Sequence, residues 1–141
     1  MAFRELHDDE LHFVTVSRHS VPAPQERAAL HPWELERVIR YMEANLLEPL
    51  RTNDLAAIVN RSAGRFTILF RRTVGESPAA YLRRRRIERA QELMLVGDAS
   101  LATIASACGL ADQAHLTRLF RRLVGSSPAK WRREQRATTS P

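Results

Sequence analysis

The chain carries one cysteine, Cys108, and one lysine, Lys130, among 141 residues. A lone thiol rules out an internal disulfide framework, and Cys108, set among small apolar neighbours, reads as buried filler. Apolar runs are short. The longest, LAAIV at 55–59, is five residues, far below the roughly 20 that span a bilayer. The first twenty residues, MAFRELHDDELHFVTVSRHS, place acids where an export signal needs an apolar segment, so a cytoplasmic location and no membrane partner are expected. Histidines at 7, 12, 19, 31 and 115 are dispersed and form no metal set. No Gly-rich phosphate loop occurs. GESP and GSSP set Pro after Ser where a nucleophile elbow needs x-Gly, and no strand precedes either. These absences exclude the common catalytic classes, and no cofactor is expected.

What is present is arginine. Of the 22 cationic residues all but Lys130 are Arg, and the pI is near 10.8. Residues 1–31 hold three Arg and five acids, a net charge of 3 − 5 = −2, whereas 32–141 hold 19 cations and 11 acids, a net of +8. The basic part points to a polyanionic partner, and the Arg fork suits phosphate and guanine edges.

Residues 1–31 contain one short apolar stretch, LHFVTVS at 11–17, followed by a Pro-containing linker, and are expected to form a flexible tail. From Pro32 the pattern turns helical, with Trp33, Leu35, Val38, Ile39, Met42 and Leu46 recurring at three and four. A short helix is expected from Thr52 to Val59, capped by Thr52 or Asn53. Asn60 suits the turn after it, and Ser62 caps a helix to Val74 that stops at Gly75. A long helix opens at Pro78 and ends before Gly97. Then the order recurs: a helix capped by Ser100 ending at Gly109, one capped by Asp112 ending at Gly125, and a last one opening at Pro128. The fold class is therefore all-α, with seven helices in two helix-turn-helix subdomains, 32–77 and 97–136, joined by a linking helix at 78–96. Residues 137–141 read as a tail.

The recurrence is written in the letters themselves. RFTILFRRTVGESPAAYLRR at 65–84 and HLTRLFRRLVGSSPAKWRRE at 115–134 agree at eleven of twenty positions. At about 100° per residue, Phe66, Leu69, Phe70 and Thr73 share one side of the first of these helices, and Gly64, Thr67, Ile68 and Arg71 the other. In the second copy Leu116, Leu119, Phe120 and Leu123 face inward, while Ala114, Thr117, Arg118 and Arg121 face outward. Neither helix contains an acid past its cap, unlike an ordinary solvated face, which mixes signs. The second helix of a helix-turn-helix can lie in the DNA major groove, so double-stranded DNA is the expected partner. The aromatics Trp33, Tyr41, Phe66, Phe70, Tyr81, Phe120 and Trp131 sit on apolar faces and are expected in the core. Trp131 matches Tyr81 in the repeat, implying one packing job in each subdomain. A basic helical protein that binds nucleic acid without sequence choice, or a protein-binding adaptor, is the alternative reading.

LAAIVNRSAGRFTILFRRTVGESPAAYLRRRRIERAQELM followed by IASACGLADQAHLTRLFRRLVGSSPAKWRRE resembles the DNA-binding domain of AraC/XylS-family transcription regulators over roughly residues 33–135. The shared pieces are the Leu-Ala and Ile-Ala starts, the two Phe-Arg-Arg pairs, Gly-x-Ser-Pro twice, Tyr81-Leu82, Arg86, Ala90 and Gly109. The resemblance implies two recognition helices set in successive major-groove segments, about 34 Å apart, by a linking helix of about 27 Å.

Carried over by the resemblance, the base-reading positions are Gly64, Thr67 and Ile68 in the first helix and Gln113, Ala114, His115, Thr117 and Arg118 in the second. Family members commonly have Arg where this chain has Ile68, so the second helix is expected to dominate specificity: Arg118 suits guanine and Gln113 adenine. Arg61, Ser62, Arg65, Arg71, Arg72, Arg121 and Arg122 are the phosphate candidates. Arg86 is implied to be structural, bridging the subdomains through ion pairs or helix-end carbonyls, while Arg83 and Arg84 are expected to be solvated. The resemblance further implies a bacterial regulator, commonly an activator that contacts RNA polymerase. Thirty residues are too few for an effector domain, and resemblance to small stand-alone members of the family implies a monomer on an asymmetric site.

Overall fold

The structure, a computed structural model, describes residues 29–140; the stretch at 11–17 and Pro141 lie outside the described residues. Within them are seven helices and no strand: α1 Pro32–Ala44, α2 Thr52–Ile58, α3 Ala63–Val74, α4 Pro78–Val96, α5 Leu101–Ala107, α6 Gln113–Val124 and α7 Pro128–Thr139. None is long and apolar enough to cross a membrane.

Local chemistry sets most of the boundaries. Ser62, Ser77, Ser100 and Ser127 each accept, through the hydroxyl, the N–H three residues on, and Asp112 does the same through its carboxylate. Gly75 and Gly125 end α3 and α6 at φ 93° and 94°, conformations that burden any residue with a Cβ. Two ends differ from expectation. Arg51, not Thr52 or Asn53, occupies the position before α2, and its N–H donates to Asp54 at 3.4 Å. Helix α7 continues through the expected tail to Thr139, where Thr138 and Thr139 donate hydroxyl hydrogens to Glu134 and Gln135 carbonyls.

The helices bury two separate cores. Val38 and Met42 of α1, Leu55 and Ala56 of α2, and Phe66, Leu69 and Phe70 of α3 close on Tyr81 and Leu82, the first turns of α4. Further along α4, Ile87, Ala90 and Met94 close on Ile104, Ala105, Cys108, Leu116, Leu119 and Phe120. Helix α4 thus ends one four-helix set and begins the next. Cys108 is fully buried, and burial pushes its thiol up to about 11. In both sets the helix after Ser-Pro packs an aromatic edge on the helix before it. Tyr81 meets Phe70 at 5.8 Å and 79°, and Trp131 meets Phe120 at 5.7 Å and 69°.

Arginines tie each set shut. Arg86 donates to the Leu46 and Glu48 carbonyls, at 2.9 and 2.7 Å, beyond the end of α1. In the second set Arg136 takes that role, donating to Met94 and Gly97 carbonyls beyond or at the end of α4, beside Arg132, which reaches Met94, Ala99 and Gly97. These carbonyls lie at or beyond a helix end, where no following turn supplies an N–H, so a guanidinium satisfies several at once.

Four burial expectations are corrected. Trp33 and Tyr41 are 56% and 40% exposed, because the inward line of α1 runs through Glu34, Val38 and Met42 and leaves their rings on its flank. Leu123 is 46% exposed. Its counterpart Thr73 is covered by the chain entering α1, where Leu30 is buried and donates its N–H to the Thr73 hydroxyl at 2.9 Å. The entry to the second set is the middle of α4, which brings no such cover. Leu30 also shows that the packed region begins before Pro32. Finally, Arg84 is not simply solvated: it pairs with Glu76 and Glu88, both at 2.7 Å, and lies over the Tyr81 ring at 5.1 Å.

Candidate nucleic-acid interface

Helices α3 and α6 are twelve residues each, and in both the buried side is made by the same three positions: Phe66, Leu69 and Phe70, then Leu116, Leu119 and Phe120. With that side committed, the opposite side is fixed by rotation. Gly64, Ile68 and Arg71 are exposed on α3, and Thr67 is half-buried. On α6, Gln113, Ala114, Arg118 and Arg121 are exposed, with His115 and Thr117 half-buried. The structure therefore brings the expected base-reading residues of each helix onto one open surface.

Their chemistry differs between the two helices. Ile68, 46% exposed, offers only methyl and methylene groups. The Thr67 hydroxyl donates to the Ala63 carbonyl at 2.8 Å, so what remains to it is acceptor capacity and a methyl. Gly64 has open space where a Cβ would stand. On α6 the polar inventory is larger. His115 accepts the Ala111 N–H on Nδ1 at 3.2 Å, which leaves Nε2 as the ring's donor. Gln113 offers an amide and Arg118 five N–H donors.

The phosphate candidates separate. Arg71, Arg72, Arg121 and Arg122 are exposed in the last turns of α3 and α6, where they also complement the negative helix ends. Ser62 is exposed, its oxygen accepting the Arg65 N–H at 3.2 Å, and Arg65 is half-buried. Arg61 is a correction. Its Nη2 and Nε hold one carboxylate oxygen of buried Glu34 at 2.8 and 3.2 Å, while the other oxygen accepts the His31 N–H at 2.8 Å. A guanidinium so engaged is structural, not offered to a phosphate. The run LRRRRIE is likewise turned inward: Arg84 and Arg85 hold Glu76, Glu43 and Glu88, and Arg86 holds carbonyls, leaving Arg83 exposed. Glu34 carried a sequence signal that was missed, an acid three residues past His31 at a helix start.

Among the described residues no group of His, Cys, Asp and Glu could hold a metal.

A family model described as a helix-turn-helix domain matches residues 55–134. The virulence regulon transcriptional activator VirF of Yersinia enterocolitica is 34% identical over 83 residues, 59% of this chain and 31% of that protein. The chain spans less than a third of the length of the curated relatives it matches. The DNA-binding domain of the global transcriptional factor AdpA, solved in complex with a target DNA, matches with a TM-score of 0.71 and 33% identity over 75% of this chain and 96% of that one. A transcriptional regulator with an AraC-type DNA-binding domain from Chromobacterium violaceum matches with a TM-score of 0.68 and 32% identity, over 76% and 95%.

Proposed function

The chain belongs to the AraC/XylS family of helix-turn-helix transcription regulators, and from that premise we propose that it binds double-stranded DNA sequence-specifically, inserting α3 and α6 into successive major-groove segments. One observation carries the reading: two helices, each locked by its own core, expose acid-free faces at either end of a shared helix. That helix has 19 residues, a length of about 28 Å, against about 34 Å between successive major-groove openings on one face of the duplex.

In this reading α6 supplies most of the discrimination. Arg118 takes a guanine through two N–H groups, Gln113 an adenine, and His115 Nε2–H an acceptor on base or phosphate. Ala114 and Thr117 pack beside them. Helix α3 reads less: Ile68 and the Thr67 methyl suit a thymine methyl, and Gly64 permits close approach. Arg71, Arg72, Arg121 and Arg122, with Ser62 and Arg65 at the start of α3, hold phosphates and set register. Two different reading heads in one chain make one copy sufficient for an asymmetric site. The relative VirF is named an activator, and activation through RNA polymerase, in the bacterial cytoplasm, is the regulatory mode we assign.

The test is selection of bound duplexes from a random pool at about 150 mM salt, where weakly held phosphate contacts no longer dominate. One strong and one weak block about a helical turn apart is the expected result. Recovery of no motif, with binding lost on adding salt, would instead identify a basic helical protein without sequence choice.

A further inference from the structure

Besides sharing α4, the two helix-turn-helix sets touch where the turn between α5 and α6 rests on the loop after α1. Gly109 lies in that turn at φ 73°. A Cβ on it would stand 3.0 Å from the Leu46 oxygen, 3.0 Å from Leu47 Cα and 3.0 Å from the Leu47 oxygen, all backbone atoms of the first set. The corresponding turn of the first set has Asn60 at φ 55°. A left-handed bend at this point therefore accepts a side chain where nothing presses on it. At 109 the requirement for glycine comes from the neighbouring loop as well as from the bend.

That loop is poorly placed to step aside. Its Leu46 and Glu48 carbonyls accept Arg86 of α4, the Glu48 N–H donates to Asn45 at 2.9 Å, and the Leu46 side chain is buried. Beside the contact the sets draw apart around an open cleft of about 400 Å³, lined by Glu43, Leu47, Arg89, Glu92 and Ala107 among others. The contact is thus a local stop at the edge of an open cleft. We infer that Gly109, seated on the loop that Arg86 holds, sets the angle between the two sets and hence the number of base pairs separating the blocks that α3 and α6 read. It is a positioning residue for specificity, and the inference rests on the two-headed reading of DNA above. A Cβ at 109 must gain a few tenths of an ångström. With the loop tied to α4, helices α5 and α6 supply that movement by tilting on α4, and the displacement grows toward the far surface of α6. Each base pair advances the groove by about 3.4 Å and turns it, so a tilt reads out as a changed spacing preference.

The experiment uses the full chain and a duplex series in which the two blocks selected by the unsubstituted protein are separated by spacers varied one base pair at a time. Gly109→Asn is the principal variant, since Asn tolerates the bend but brings the Cβ. It should lose about tenfold at the original spacing, the cost of roughly one misread base pair. Its loss should be smaller at a neighbouring spacing, with each block's preferred sequence unchanged. Circular dichroism establishes that it folds. Should it not, Arg86→Gln releases the loop without adding an atom at 109, and its spacing profile should broaden. A variant profile identical to the unsubstituted one, or an equal loss at every spacing, would overturn the inference. If the unsubstituted protein itself selects no paired blocks, it is the underlying two-headed reading that fails.

Discussion

Arg118 and Arg121 stand about one turn apart on α6, both exposed, and differ in what they can reach. Arg118 lies among the residues proposed to face the groove, so Arg118→Ala should lower affinity for the selected site by about 1–3 kcal/mol and relax choice at one or two base pairs. Arg121 sits nearer the helix end. Its removal should weaken binding to all sequences alike and reduce the slope of log affinity against log salt by about one. Identical behaviour of the two variants on every sequence would sink this division. Arg61→Ala belongs to a third class. Leaving Glu34 buried without its guanidinium should cost about 3 kcal/mol of folding stability, read as a lowered melting temperature, with the salt slope of the folded protein unchanged. Arg61 shows where residue-scale reading stops. Its partner is 27 positions away, and no local pattern distinguishes a buried ion pair from a phosphate contact. Arg71 and Arg121, by contrast, could be placed on an outward face from periodicity alone, because the buried side of each helix is so uniformly apolar.

At the scale of the element, α4 carries a row of ion pairs that its hydrophobic pattern does not announce. Arg85 bridges Glu43 of α1 and Glu88 of its own helix, and Arg84 bridges Glu88 and Glu76. The hydrogen bond from Arg85 holds the Glu43 carboxyl below its ordinary 4.5. For Glu88, burial works upward, but hydrogen bonds from Arg85 and Arg84 outweigh it and the carboxyl also ends below 4.5. Folded-state values below the unfolded ones mean stability that is present above the ordinary carboxylate range and lost as pH falls through it. The melting temperature should therefore drop on going from pH 6 to pH 3, and drop less steeply in Arg85→Gln, which has surrendered the contact beforehand. An equal acid sensitivity in the two proteins would remove these pairs from the account. The helix ends were readable because capping is local chemistry: Ser62, Ser100, Asp112, Gly75 and Gly125 act within a few residues. The end of α7 was not, since QRATT contains no stop signal and the helix is held through Arg132 and Arg136 by a distant loop. Leu123, Trp33 and Tyr41 were misread for the same reason, as burial depends on which neighbour covers a position.

For the whole molecule the sharing of α4 forbids division. A fragment ending at Gly97 would keep the first core but leave Ile87, Ala90 and Met94 without the residues that cover them. Such an apolar strip invites self-association. The fragment should bind a hydrophobic dye and elute as larger species on gel filtration, whereas the full chain should unfold in one transition; a monomeric, dye-silent fragment would show the halves to be independent. The same sharing sets how much chain a second copy of the unit requires. Each reading head needs four helices, yet the pattern returns after three, because the closing helix of one head opens the next. Two heads thus take seven helices and not eight. Repeating the three-helix unit α2–α4 once, as α5–α7, is enough to build the second head with no helix left over. A third head would need only three helices more, built on α7.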